Sequence, residues 1–144
     1  MENNYGSIVS VIGPIVDVRF EKNNLPALLS ALHVELNNGG RLVLEVLQHV
    51  GDDVVRAVSM GATEGLVRGM KVLNTNSPIT VPVGEKTLGR MFNILGEPID
   101  GGENVDDVER HPIHRKAPSF KEQSTSSRIL ETGIKVIDLL CPYV

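Results

Sequence analysis

The first half of the chain alternates apolar and polar residues with the period of a half-buried β-strand. Val16–Phe20 reads VDVRF and Leu32–Leu36 reads LHVEL, so alternate side chains share one face. Ile8–Ile12, Arg41–Val50 and Val54–Val58 are rich in β-forming residues and predict further strands. Short strands at this spacing are typical of a small antiparallel barrel or sandwich.

Turn-forming residues separate these runs. Gly13-Pro14 follows the first run, Asn37–Gly40 follows LHVEL, and Gly51–Asp53 precedes the last run. Glycine permits left-handed backbone and proline lacks an N–H, so each group predicts a turn. We therefore expect an N-terminal β-barrel over residues 1–77, with the polar stretch Asn74–Pro78 as its exit linker.

Residues 78–144 follow a different pattern. Ile79–Val83 contains an internal proline and predicts a short edge strand. Thr87–Leu95 predicts one short helix, and the hydroxyls of Ser124–Ser127 could cap another. A further helix is predicted where apolar residues recur at helical spacing, at Ile134, Ile137 and Leu140.

Composition narrows the class of function. The net charge is −4 and only five residues are aromatic, which argues against a nucleic-acid binder. No apolar run is long enough for a membrane span, and MENNYGS does not resemble a signal peptide. The single cysteine, Cys141, is flanked by Leu140 and Pro142 and is expected to be a small buried apolar residue.

The titratable residues form no pattern that predicts catalysis. His111 and His114 are separated by Pro112, and no cysteine or carboxylate completes a zinc site. The acidic residues between Asp100 and Glu109 lack the spacing of a calcium loop, and no serine lies in G-x-S-x-G. We therefore assign no catalytic, cofactor-binding or metal-binding residue.

Five segments resemble the beta-subunit family of F-type ATP synthases, in the order in which that family has them. They are Gly6–Phe20 (GSIVSVIGPIVDVRF), Thr63–Gly69 (TEGLVRG), Leu88–Gly101 (LGRMFNILGEPIDG), Pro112–Pro118 (PIHRKAP) and Glu131–Tyr143 (ETGIKVIDLLCPY). The alpha subunit, the vacuolar-type subunits and the flagellar export ATPases share the same layout. The sequences NILGEPID, PIHR and ETGIKVIDLLCPY resemble beta and not alpha.

This resemblance implies a mixed fold. A ring-forming barrel at 1–77 would be followed, at 78–144, by the incomplete start of an α/β nucleotide-binding domain. The family's phosphate loop, G-x-x-x-x-G-K-[ST], does not occur in the sequence, so none of its nucleotide-binding residues can be placed here. The resemblance implies a parent enzyme that binds Mg-ATP or Mg-ADP and couples ATP synthesis to a transmembrane ion gradient. Residues 1–144 alone are expected to have a structural role and no activity.

The resemblance also implies partners and location. Alpha subunits would alternate with beta in a hexameric ring around a central stalk. The complex would be peripheral, on the cytoplasmic face of a bacterial plasma membrane or on the stromal side of a chloroplast thylakoid. No nucleic acid is expected, and the membrane would be reached only through the complex. The apolar tail, with Ile134, Ile137, Leu139 and Leu140, could also drive self-association.

Two other interpretations stay open at this point. One is a free-standing small-barrel module that binds oligonucleotides, which would need a basic groove and stacking aromatics. Only Tyr5 and Phe20 lie within the predicted barrel. The other is a piece of a related rotary or export ATPase.

Overall fold

A computed structural model describes residues 4–37, 39–124, 126 and 128–144. The chain divides into two compact units, Met1–His114 and Arg115–Val144, and each is described by itself.

The first unit contains a closed antiparallel barrel, as the sequence predicts. Its strands follow one another around the barrel in the order β1-β2-β5-β4-β3-β6, and β6 pairs back onto β1. They are β1 Asn4–Ile12, β2 Ile15–Arg19, β3 Ser30–Glu35, β4 Arg41–Gly51, β5 Val54–Ser59 and β6 Lys71–Pro78.

Alternation along the strands fills the barrel with aliphatic side chains. Val16 and Val18 are fully buried, whereas Asp17 between them faces outward and binds Arg56 of the adjacent strand at 2.8 Å. Each buried valine or leucine stabilises the fold by about 1.5–3 kcal/mol relative to exposure. The other aliphatic side chains with no exposed surface are Leu32, Val34, Leu44, Val46, Val55, Ala57 and Val72.

Two predicted turns join neighbouring strands with left-handed backbone. Gly13 has φ 57° between β1 and β2, where Ile12 pairs with Ile15. Asp52 and Asp53 have φ 50° and 59° between β4 and β5. Positive φ in a two-residue hairpin loop matches the twist of the flanking strands, which is why Gly and Asp occur there.

The prediction of a linker at Asn74–Pro78 is wrong. This stretch is the second half of β6 and pairs with β3, where Leu32 is the partner of Asn74. Asn74 is 4% exposed, and its side chain bonds Asn76 through both amide atoms. Thr75 Oγ1 donates to the carbonyl of Ala31 at 2.7 Å. Local side-chain hydrogen bonds therefore let a polar segment complete the barrel.

Residues 79–114 cluster with the barrel in the first unit. Thr80–Pro82 (β7) pairs with Arg110–Pro112 (β8) in a two-stranded antiparallel sheet, so the predicted edge strand is confirmed. The predicted helix over Thr87–Leu95 is wrong. A single 3₁₀ turn covers Glu85–Thr87, and Gly89 follows with φ 72°, which a continuing helix cannot accommodate.

The division at residue 77, and the assignment of 78–144 to a nucleotide-binding domain, stay predictions. Strand β6 ends at Pro78, one residue beyond that boundary. The compact unit that contains the barrel extends further, to His114.

The second unit contains one short helix, α1, over Lys135–Leu140, which confirms the helical spacing read from the sequence. Leu130 and Tyr143 form an isolated bridge beside it, with Leu130 N donating to Tyr143 O at 2.9 Å. The predicted cap at Ser124–Ser127 falls partly outside the described residues, at 125 and 127. In the described part of this stretch no helix begins before Lys135.

Candidate interaction surface

Four exposed leucines and one valine lie on two adjoining segments at the outside of the barrel. The segments are the loop that precedes β3 and the C-terminal half of β4, and we call these five residues the leucine patch. Its members are Leu25 (37% exposed), Leu28 (56%), Leu29 (37%), Leu47 (46%) and Val50 (49%). Clustered exposed apolar side chains mark interaction surfaces more often than isolated ones do.

Hydrogen bonds hold the loop against β4. Leu29 N donates to Val46 O at 2.8 Å, and His49 Nε2 lies 2.8 Å from Pro26 O. Pro26 is fully buried, so it anchors the loop between the exposed leucines. Leu29 has φ 65°, an unusual backbone for a leucine, and this conformation must be stabilised by the surrounding contacts. The patch is therefore part of an ordered surface.

The barrel is suited to present a surface and not to enclose a ligand. Its inward side chains from neighbouring strands, such as Val18, Val55 and Leu44, have no solvent exposure. In a small barrel, side chains of this size fill the interior. Recognition by this unit must therefore involve its outer face or the segment that follows the strands.

One buried carboxylate joins that following segment to the barrel. Glu45 lies in the middle of β4 with its side chain 6% exposed, and its Oε2 is 2.8 Å from His114 Nε2. Its cross-strand neighbours are Ala31 and Val58, which offer no side-chain donor. A buried carboxylate requires a donor, so His114 fixes the end of the 79–114 segment to the barrel wall.

A second carboxylate organises the loop between β7 and β8. Asp100 accepts from Arg90 Nε at 2.5 Å and Arg90 Nη2 at 3.0 Å, and also from the backbone N–H groups of Gly102 and Met91. The hydrogen bonds from Arg90, followed by that from Gly102, lower the pKa of Asp100 well below its ordinary range. Arg90 also donates to the carbonyl of Glu103 at 2.9 Å. This arrangement is a structural clamp that closes the loop.

The second unit has an ordered turn and an exposed apolar surface. Asp138 accepts from Thr132 N, Thr132 Oγ1 and Gly133 N, and the bonds from Thr132 are the main cause of its lowered pKa. These bonds fix the turn that leads into α1. Helix α1 has no buried residue. The most exposed apolar side chains of the unit are Phe120, Val136, Leu139, Leu140 and Val144.

The two histidines that lie three positions apart in sequence, His111 and His114, have different partners. His111 Nε2 lies 2.7 Å from Glu109 Oε1, whereas His114 contacts Glu45. In the described ranges there is no group of three or more residues able to hold a metal ion. The burial predicted for Cys141 is wrong, because Cys141 is exposed. It directly follows helix α1, which itself has no buried residue.

Sequence reasoning missed the leucine patch, the Glu45–His114 contact and the Arg90–Asp100 clamp. The sequence L-P-A-L-L at Leu25–Leu29 carried a signal, since five apolar residues interrupt an otherwise polar loop. The two hydrogen-bonded pairs leave no signal of that kind. Their partners come together only when the 79–114 segment folds.

Among the described residues, no helix is both long and apolar enough to cross a membrane. Residues 8–76 match the family model described as the ATP synthase alpha/beta family, beta-barrel domain. The match runs from within β1 to within β6, so it covers β2 to β5 completely and β1 and β6 in part.

Proposed function

We propose that the chain is the N-terminal part of a catalytic beta subunit of the ATP synthase alpha/beta family, because residues 8–76 match the model of that family's beta-barrel domain. The observation that supports the proposal most is that residues 8–76, which match the family model, form most of a closed barrel filled with side chains. The choice of beta is supported by NILGEPID (93–100), PIHR (112–115) and ETGIKVIDLLCPY (131–143), which resemble that subunit.

The proposed role of these residues is assembly. The barrel would pack beside the barrels of alpha subunits in an alternating ring around a central stalk, with the leucine patch as a contact surface. The parent enzyme would make ATP from ADP and phosphate, driven by an ion gradient, in a complex peripheral to a bacterial plasma membrane or a thylakoid. Binding of Mg-ATP or Mg-ADP would need a phosphate loop, and the motif G-x-x-x-x-G-K-[ST] does not occur in these 144 residues.

The apolar surface of the second unit agrees with this proposal. Leu139 and Leu140 are each 80% exposed within their own unit. Side chains of this kind are expected to pack on a nucleotide-binding sheet in a larger protein. With no such sheet, the same residues would favour self-association.

The oligonucleotide-binding alternative has less support. Phe20 is 4% exposed and packs in the barrel core, so it offers no face for a stacked base. Tyr5 is the one aromatic residue of the barrel strands, in the described ranges, that reaches the surface. Sequence-independent binding of single strands normally uses several stacking aromatics along a basic groove.

Co-assembly tests the proposal. The purified 144-residue chain would be mixed, in separate samples, with alpha subunits and with intact beta subunits of a bacterial ATP synthase, and complex masses measured by mass photometry. We expect a complex with alpha and none with beta, because the two subunits alternate. A matched sample with fluorescent single-stranded DNA should show no change in anisotropy.

Two results would overturn the proposal. Association with beta and not with alpha would identify the chain as alpha-like. Salt-dependent binding of the DNA, with neither subunit bound, would favour the oligonucleotide-binding module.

A further inference from the structure

A polar crevice of about 220 Å³ lies in the Met1–His114 unit, beside β3 and β4. One side is apolar and belongs to a small core cluster of Ala31, Val43 and Ile79. The other side is polar. Its side chains are His33, Arg41, Thr75, Ser77, Thr80 and Arg110.

The two arginines give the crevice an excess of positive charge. Arg110 donates to the carbonyls of Thr80 and Leu95 at 2.9 and 3.2 Å and to the hydroxyl of Thr80 at 3.2 Å. These acceptors are neutral, and within the described part of the chain Arg110 has no carboxylate partner. Arg41 meets Glu97 at 3.2 Å, with both side chains about half exposed. One carboxylate therefore faces two guanidinium groups.

His33 adds a hydrogen-bond donor to the same wall. Burial, and then the charge of Arg41, lower the pKa of this imidazole. Its ring is consequently neutral near pH 7 and carries one N–H. Across the described ranges the ring has no hydrogen-bond partner. A second groove also has His33 and Arg41 in its lining, and the Glu35 and Lys71 side chains that line it carry opposite charges.

We propose that this crevice binds a small tetrahedral oxyanion of the phosphate type. The guanidinium groups of Arg41 and Arg110 supply charge-assisted hydrogen bonds, and the ring of His33 supplies a third donor. Pockets for ligands of drug size start at about 300 Å³, so the crevice suits a free anion better than a whole nucleotide. The binding site does not include the leucine patch, and the proposal stands independently of the assembly role.

Histidine NMR tests the proposal on the 144-residue chain. Inorganic phosphate would be titrated at constant ionic strength, with chloride as the balancing anion, while the ring signals of the four histidines are followed. We expect saturable shifts of the His33 signals, with His49 and His111 unchanged. Bound phosphate should also raise the pKa of His33, because an anion stabilises the imidazolium form.

Charge-removing variants identify the binding groups. Arg41→Gln and Arg110→Gln should each weaken phosphate binding about tenfold, as expected from losing one charge-assisted hydrogen bond. Arg19→Gln is the matched control, since Arg19 lies on β2, opposite β3 around the barrel, and should leave binding unchanged. Because Arg110 also supports Thr80 and Leu95, Arg41→Gln keeps the test valid if Arg110→Gln unfolds.

The proposal is overturned if the His33 signals respond equally to phosphate and chloride. Equal weakening by Arg19→Gln would also overturn it, because the effect would then reflect net charge. A third arm replaces phosphate with ATP. Saturation by ATP with no response to phosphate would show that the occupant is not a small oxyanion.

Discussion

The Nε2 atom of His114 lies 2.8 Å from the Oε2 atom of Glu45, although 69 positions separate the two residues in sequence. Glu45 is in the barrel wall and His114 is the last residue of the barrel-containing unit. Their contact fixes the end of the segment that follows the barrel. Any motion of that segment away from the barrel must break the bond and leave a carboxylate buried.

Replacing His114 by alanine should therefore destabilise the first unit. The carboxylate of Glu45 would lose its donor, and an unsatisfied buried acceptor costs about 1–3 kcal/mol. Urea unfolding would measure the change. His111→Ala is the control. His111 contacts Glu109, whose side chain is 75% exposed, so this variant should lower the free energy of unfolding by less than about 1 kcal/mol. Equal losses for both variants would show that the Glu45 contact has no special weight.

Truncation within the barrel core should cost more than truncation on its surface. Leu44 is fully buried and Leu47, on the same strand, is 46% exposed. We expect Leu44→Ala to lower the free energy of unfolding by about 2–5 kcal/mol, because it leaves a cavity. Leu47→Ala should change it by less than about 1 kcal/mol. Chemical denaturation of the two variants makes the comparison, and similar values would contradict the burial described here.

Two glycines with the same backbone conformation separate steric crowding from backbone strain. Gly96 has φ 73° and Gly89 has φ 72°. A Cβ at Gly96 would lie 2.4 Å from Pro82 Cδ, whereas one at Gly89 would meet nothing within 4 Å. Gly89→Ala should cost about 1 kcal/mol from left-handed strain alone. Gly96→Ala should lower the free energy of unfolding by clearly more than Gly89→Ala, as measured by thermal unfolding. A larger loss for Gly89→Ala would rule out the packing of Gly96 against β7.

The clamp around Asp100 should open in acid. Because the folded state lowers the pKa of Asp100 below its ordinary value of 3.8, its contribution to stability is complete above that pH and is lost as the pH falls through the folded value. The amide signals of Met91 and Gly102 report the hydrogen bonds directly. We expect their titration midpoints to lie below 3.8 and the transition to be absent in Asp100→Asn. Asp106→Asn, in the same loop, should behave like the unaltered chain.

The barrel was predictable because its signals are local. Alternation at Val16–Phe20 and turn residues at Gly51–Asp53 depend on neighbours in sequence, and both appear in the structure. The second half of β6 could not be predicted as a strand, because its polar residues, such as Asn74 and Thr75, are typical of a linker. They join the sheet only through hydrogen bonds that tertiary pairing makes available, including Thr75 to Ala31.

The Glu45–His114 contact and the charged crevice were less predictable from the sequence than the barrel. Burial of Glu45 depends on a histidine far along the chain. The charge of the crevice depends on Arg41 and Arg110, which line it together although they are 69 positions apart in sequence. The helix predicted over Thr87–Leu95 does not form, because local side-chain hydrogen bonds stabilise a different backbone. Asn93 Oδ1 accepts from the backbone N–H groups of Leu95 and Glu97 and stabilises a turn that competes with helix.

The most direct test of the assembly role compares Leu28→Asp with Val67→Asp in binding to alpha subunits. The two side chains are almost equally exposed, at 56% and 57%, but only Leu28 belongs to the leucine patch. We predict that Leu28→Asp weakens association with alpha at least about tenfold, while Val67→Asp binds like the unaltered chain. Equal binding by both variants, each folded by circular dichroism, would contradict the claim that this barrel assembles through the leucine patch.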